Sequence, residues 1–145
     1  MVEVYESTSP QNTAKIAQEF AKKLSGGDVI CMYGDLGAGK TEFVRSMAGE
    51  FGINDYITSP TFTIINEYKG DIDLYHFDVY RIADSDEMYE IGYDEYIDGD
   101  GICIIEWAEL IEDILPPQRY NITITKDYQQ GENYRKIVIE HFKEK

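Results

Sequence analysis

The stretch that decides the fold is "CMYGDLGAGKTEFVRSMAGEFG", Cys31 to Gly52. It starts inside the continuous apolar run "DVICMY", which has the character of a central parallel strand covered on both faces. Gly34, Gly37 and Gly39 follow, then Lys40 and Thr41. A helix is predicted from about Lys40 to Phe51, with Gly52 placed to end it. Gly34, Gly39, Lys40 and Thr41 satisfy the pattern G-x-x-x-x-G-K-[ST] in full. Glycines let a backbone take positive φ and turn its N–H groups onto anionic oxygens, and a helix that begins at the lysine aims its positive end at the same place. The segment Gly34, Asp35, Leu36, Gly37, Ala38, Gly39, Lys40 and Thr41 is therefore expected to cradle a nucleoside triphosphate. In that cradle Lys40 reaches the β- and γ-phosphates and the Thr41 hydroxyl ligates Mg²⁺. Guanine-binding loops of this kind usually come with an N-K-x-D element, which this sequence lacks, so ATP is the expected nucleotide.

Outward from the loop, strands and helices alternate. "VEVYE" has the pattern of a short strand. Ser9 and Pro10 supply a cap and a first-turn proline for a helix carrying Ala14, Ala17, Phe20, Ala21 and Leu24, which Gly26 and Gly27 stop. "TFTIINEY" and "DLYHFDVYRI" flank a tight turn and predict a hairpin. "DSDEMYEIGYDEYID" has weak helical character, either a partner surface or a solvated acidic face. "GICIIEW" is a second buried strand, "AELIEDIL" a short helix, and the alternating tail around Gly131 an antiparallel hairpin. Parallel and antiparallel strands together predict an α/β fold: one P-loop NTPase-like domain over 1–145, a mixed sheet flanked by helices.

A working NTPase needs acids beyond the cradle. A strand-end carboxylate is the usual metal partner, and "ICIIEW" ends in Glu106, one methylene longer than the common aspartate. Glu106 either holds metal with Thr41 or marks where the strand returns to solvent. Asp78 stands in the otherwise apolar and aromatic "YHFDVYR", where a carboxylate is costly unless paired or bound. Either Arg81 pairs with it or it belongs to the site.

Charge bounds the partners. With 13 Lys and Arg against 28 Asp and Glu the net charge is −15, which excludes a protein that grips DNA or RNA alone through a basic surface. The acidity is either a solvated exterior or a docking face for a basic partner. No apolar run approaches the ~20 residues of a membrane span, and the acidic "MVEVYESTSP" is unlike a signal peptide. Cys31 and Cys103 lie in apolar runs and are expected to be buried free thiols, as suits a cytoplasmic protein.

"GDLGAGKTEF" at Gly34, "SPTFTIINEY" at Ser59, "YHFDVYRI" at Tyr75 and "IIEWAE" at Ile104, in this order and spacing, resemble the TsaE (YjeE) family of small bacterial P-loop ATPases. The resemblance implies a part in making threonylcarbamoyladenosine at position 37 of tRNA. The partners it implies are a TsaD-type transferase and a TsaB-type companion, with tRNA held by them and reached only through the complex. It implies phosphate binding by Lys40 and the loop amides, and Mg²⁺ held by Thr41 and Glu106. Asp78 would orient water, and Thr61 would sense the γ-phosphate or else merely start a strand. Trp107 would touch the transferase or else anchor the core, and Arg135 of "NYRKIVI" would approach the nucleotide. A nucleotide-gated binding module with incidental hydrolysis, or less readily a small-molecule kinase, would share the cradle. The scattered basic residues after the loop argue against a kinase lid.

Overall fold

A computed structural model of the protein describes residues 1–34, 38–60 and 62–143. Seven strands form one mixed sheet in the order β1-β7-β6-β2-β5-β4-β3. They are β1 (Val2–Ser7), β2 (Val29–Gly34), β3 (Ile65–Tyr68), β4 (Leu74–Asp78), β5 (Ile102–Glu106), β6 (Arg119–Lys126) and β7 (Arg135–Phe142). The centre, β6-β2-β5-β4, is parallel, whereas β7 pairs antiparallel with both β6 and β1 at one side and β3 pairs antiparallel with β4 at the other.

The apolar run of β2 is buried because it is sandwiched. Ile30 and Met32 face one core together with Ile102, Ile104, Ile122 and Ile124, under helices α1 (Pro10–Ala21) and α2 (Lys40–Ala48). Val29 and Cys31 face the other with Phe77, Cys103 and Ile105. That second face is closed by the short helices α3 (Asp86–Glu90) and α4 (Tyr93–Ile97) and by the 3₁₀ segment Ala108–Ile114. Met88 and Tyr93 from α3 and α4 are buried there, so this acidic, Tyr-rich stretch is a half-buried layer as well as a solvated face. Its period is hard to see because two five-residue helices meet at Gly92, whose φ is +86°.

Local signals set most boundaries. Ser9 caps α1, its side chain accepting from the Asn12 N–H at 3.0 Å. Gly52, at φ +74°, ends the 3₁₀ turn Gly49–Phe51 that extends α2. Two expectations need correction. The hairpin β3–β4 is shorter than its apolar pattern, since β3 begins only at Ile65 and β4 stops at Asp78. Ile64 stands in the left-handed region at φ +70°, and its carbonyl accepts from the Asp78 N–H, which turns the chain into β3. "AELIEDIL" forms 3₁₀ turns broken at Ile111.

Cys31 and Cys103 are buried and unbridged, and burial pushes both thiols up to about 12. At pH 8 the reactive thiolate is then only ~10⁻⁴ of the population. Iodoacetamide should leave both cysteines of the native protein unmodified at pH 8 and alkylate both in guanidinium, as counted by intact mass.

Candidate functional site

Because β2, β4 and β5 are parallel neighbours, their C-terminal ends deliver Gly34, Asp78 and Glu106 to one edge of the sheet, where open α/β sheets bind ligands. Register then selects the face. Asp78 is opposite Glu106 and Glu106 opposite Met32, so both carboxylates lie on the face covered by α1 and α2. Gly39 leaves the loop at φ +99°, and Lys40 and Thr41 are the first two residues of α2.

Lys40 is only 6% exposed. Its Nζ donates to the Gly34 carbonyl at 3.2 Å and lies 4.3 Å from the centre of the Trp107 ring. No carboxylate among the described residues forms an ion pair with it. A buried ammonium whose company among the described residues is a carbonyl and a ring is a costly arrangement that an anion would relieve.

Glu106 is 4% exposed, so it does not mark a return to solvent; its Oε2 is 2.5 Å from Nε2 of the fully buried His76. Asp78 is 5% exposed, with Oδ1 accepting from the Tyr80 N–H at 3.0 Å and Oδ2 at 3.5 Å from the Ser59 hydroxyl. Arg81 does not pair with Asp78. Its guanidinium rests on the Phe62 ring at 4.5 Å, because the strand has ended and the chain has turned before residue 81 is reached. Trp107, at φ +64°, is half-buried; its ring packs on Tyr80 at 4.7 Å as well as on Lys40, so it is no fully buried anchor.

Arg135 opens β7, and its Nε donates to the Ala38 carbonyl at 2.9 Å, tying the glycine loop to the far hairpin. It also lines a cleft of about 390 Å³ with Pro10, Thr13, Gly39, Glu42 and Asn133. Asp35, Leu36, Gly37 and Thr61 lie outside the described residues. The structure thus gathers Gly34, Lys40, Asp78, Glu106 and Trp107 at one edge, with Arg135 reaching the loop from the other side.

His76 is the member that sequence reasoning left unassigned. The signal was available: it stands two residues before Asp78 in a strand, so both side chains leave the same face.

A buried strand running through a glycine loop into a helix, at the head of a mixed sheet with acids ending the adjacent strands, defines a P-loop-type α/β protein. The model of the family described as "Threonylcarbamoyl adenosine biosynthesis protein TsaE" matches residues 7–137, and the chain belongs to that family. It is 45% identical over 134 residues to the tRNA threonylcarbamoyladenosine biosynthesis protein TsaE of Bacillus subtilis, covering 92% of this chain and 82% of the relative. The protein of the same name from Treponema pallidum is 43% identical over 119 residues, 82% of this chain and 87% of the relative. The crystal structure of Bacillus subtilis YdiB superposes with a TM-score of 0.83 at 38% identity, covering 99% of this chain and 87% of the other. Among the described residues no helix is long and apolar enough to cross a membrane.

Proposed function

We propose that the protein is the ATP-binding and ATP-hydrolysing subunit of a cytoplasmic assembly that makes threonylcarbamoyladenosine in tRNA, with a TsaD-type transferase and a TsaB-type companion as partners. One observation carries the nucleotide reading: Lys40 is a buried ammonium without a described counter-ion, at the end of a complete phosphate-loop motif. The cleft beside Gly39 and Arg135 offers room for a nucleoside next to that loop.

The donors suit Mg²⁺. The Thr41 hydroxyl and the Glu106 carboxylate are hard oxygen ligands, and Mg²⁺ is ordinarily held by one or two protein oxygens plus phosphate and water. No cluster of three His, Cys, Asp or Glu that could form an all-protein cage occurs among the described residues, which is compatible with a cation shared with phosphate. When bound, the ion supplies charge neutralisation at the β- and γ-phosphates. Lys40 adds a positive charge there, and Asp78 orients the attacking water, its own carboxylate steadied by the Tyr80 N–H. Thr61 is assigned the sensing of the γ-phosphate.

The partner reading rests on family and on charge. At net charge −15 the protein is a poor ligand for tRNA by itself. Tyr80 is an exposed aromatic beside the site with the half-buried Trp107 packed on it, and Phe62 is exposed under the Arg81 guanidinium, apolar surface suited to a protein partner. Two unbridged cysteines agree with a reducing compartment.

The test is multi-turnover tRNA modification by the reconstituted assembly, together with a binding assay for the assembly itself. Asp78→Asn should cut ATP turnover and modification by about 10²-fold while assembly changes little, because it removes a charge at the chemistry and almost no surface. Full multi-turnover modification without this protein, or tight tRNA binding by the protein alone, would refute the proposal. Wild-type assembly and modification with no ATP consumed would favour the nucleotide-gated module instead.

A further inference from the structure

His76 is a polar side chain placed where an apolar one would pack. It is fully buried on the face shared with Leu74 and Ile104. Its Nδ1 is buried with no hydrogen-bond partner among the described residues. Its one polar contact among the described residues is Nε2 to Glu106 Oε2, 2.5 Å, between residues thirty apart in sequence. Leaving a buried polar atom unpaired costs free energy, so packing alone does not account for an imidazole here. The tautomer follows from the geometry. With the proton on Nε2, the ring donates to the carboxylate and only a bare lone pair is left at Nδ1. With the proton on Nδ1, an N–H would be orphaned in the core, the rarer and costlier condition.

We propose that His76 is a positioning residue for the cation site. Its Nε2–H holds Glu106 Oε2 and so fixes the carboxylate with Oε1 as the oxygen left for the ion. The proposal rests on the reading of Thr41 and Glu106 as the Mg²⁺ ligands. Its physical basis is the extra methylene of glutamate. Compared with aspartate, Glu106 has one more rotatable bond to restrain, while Mg²⁺ tolerates little departure from octahedral geometry. The diagonal contact from β4 to β5 supplies that restraint, since Glu106 stands two residues beyond Ile104, the partner of His76 in the register. Hydrogen-bond partners of metal ligands typically matter 10–100-fold for metal affinity.

The experiment is a Mg²⁺ titration of the binding of a fluorescent, non-hydrolysable ATP analogue by wild type, His76→Phe and His76→Gln. It is accompanied by imidazole ¹⁵N spectra of the wild type. His76→Phe should raise the Mg²⁺ midpoint about 10–100-fold and leave affinity for the metal-free analogue unchanged. His76→Gln, which keeps an N–H donor at similar reach, should recover most of the loss. A purely structural histidine would lower stability or metal-free affinity without moving the midpoint. The chain has two histidines, so the spectra need only separate His76 from His141, which stacks on Tyr120 at 4.0 Å. His76 should show the Nε2–H tautomer and shift when Mg²⁺ and analogue are added, with His141 still. A wild-type midpoint in His76→Phe, or a glutamine variant no better than phenylalanine, overturns the proposal. If the phenylalanine variant does not fold, the spectra decide: an Nδ1–H tautomer, or no response of His76 while binding is Mg²⁺-dependent, overturns it equally. Analogue binding by wild type that ignores Mg²⁺ overturns the metal-site reading itself, and this proposal with it.

Discussion

Lys40→Ala should lower nucleotide affinity and turnover by about 10²–10³-fold, the usual effect of removing a donor aimed at developing or fixed negative charge in a shielded site. The melting temperature should move by only a few degrees. The two effects separate because Lys40 is bound into the fold by no ion pair among the described residues. Its Nζ meets the Gly34 carbonyl and the face of Trp107, and neither contact compensates the burial of the charge as a carboxylate would. Alanine loses the packing of the aliphatic stem and relieves the desolvation of the ammonium, and these partly cancel. Calorimetric titration with ATP and Mg²⁺, beside a thermal melt, checks both halves. Trp107, the chain's one tryptophan, gives a third readout, since its emission should change when the ammonium leaves its ring. A folded Lys40→Ala protein with wild-type affinity and turnover would show that the glycine loop is only a turn.

Gly34→Ala should be the more damaging to the fold, at about 3–5 kcal/mol, the range of severe backbone and packing errors. Gly34 ends β2 at φ +129°, where side chains rarely stand, and a Cβ added there would meet the Ile124 carbonyl oxygen at 2.0 Å. That oxygen is backbone in the neighbouring strand β6, opposite Gly34 in the parallel register, so no side-chain rotation can make room. At this chain length the loss corresponds to a melting temperature lower by roughly 10 °C or more. Gly39→Ala makes the informative comparison. Gly39 has φ +99° with no described residue within 4 Å of its added Cβ, so its conformation is what opposes the change and the loss should be the smaller of the two. Equal melting temperatures for the two variants would mean that strand contact at Gly34 has been overestimated.

The loop motif, the capped first helix, the buried central strands and the antiparallel tail were legible in the sequence. Each is written in neighbouring residues: a cap four or fewer positions from what it caps, an apolar run, an alternation. Those signals carry no information on which strands lie side by side. The glycines illustrate the boundary. The motif explains why Gly34 and Gly39 are glycines at all, yet only the structure shows that one is held by close approach of β6 and the other by its backbone angle. The same limit hid the pairing of His76 with Glu106 and misdirected Arg81. Proximity in sequence suggested an Asp78–Arg81 pair, but β4 ends at Asp78 and the turn carries Arg81 onto Phe62.

What the sequence determined by itself was the class of domain and the chemistry of its loop, because those follow from residue types at short, fixed spacings. The tertiary structure decided the rest of the site. Parallel register set Asp78 and Glu106 at one edge and on one face, β4 beside β5 brought His76 to Glu106, and β7 carried Arg135 to the carbonyl of Ala38, 97 residues away in the chain. Strand order and register arise from burying two faces of a sheet at once, a condition on the whole chain that no local stretch can express.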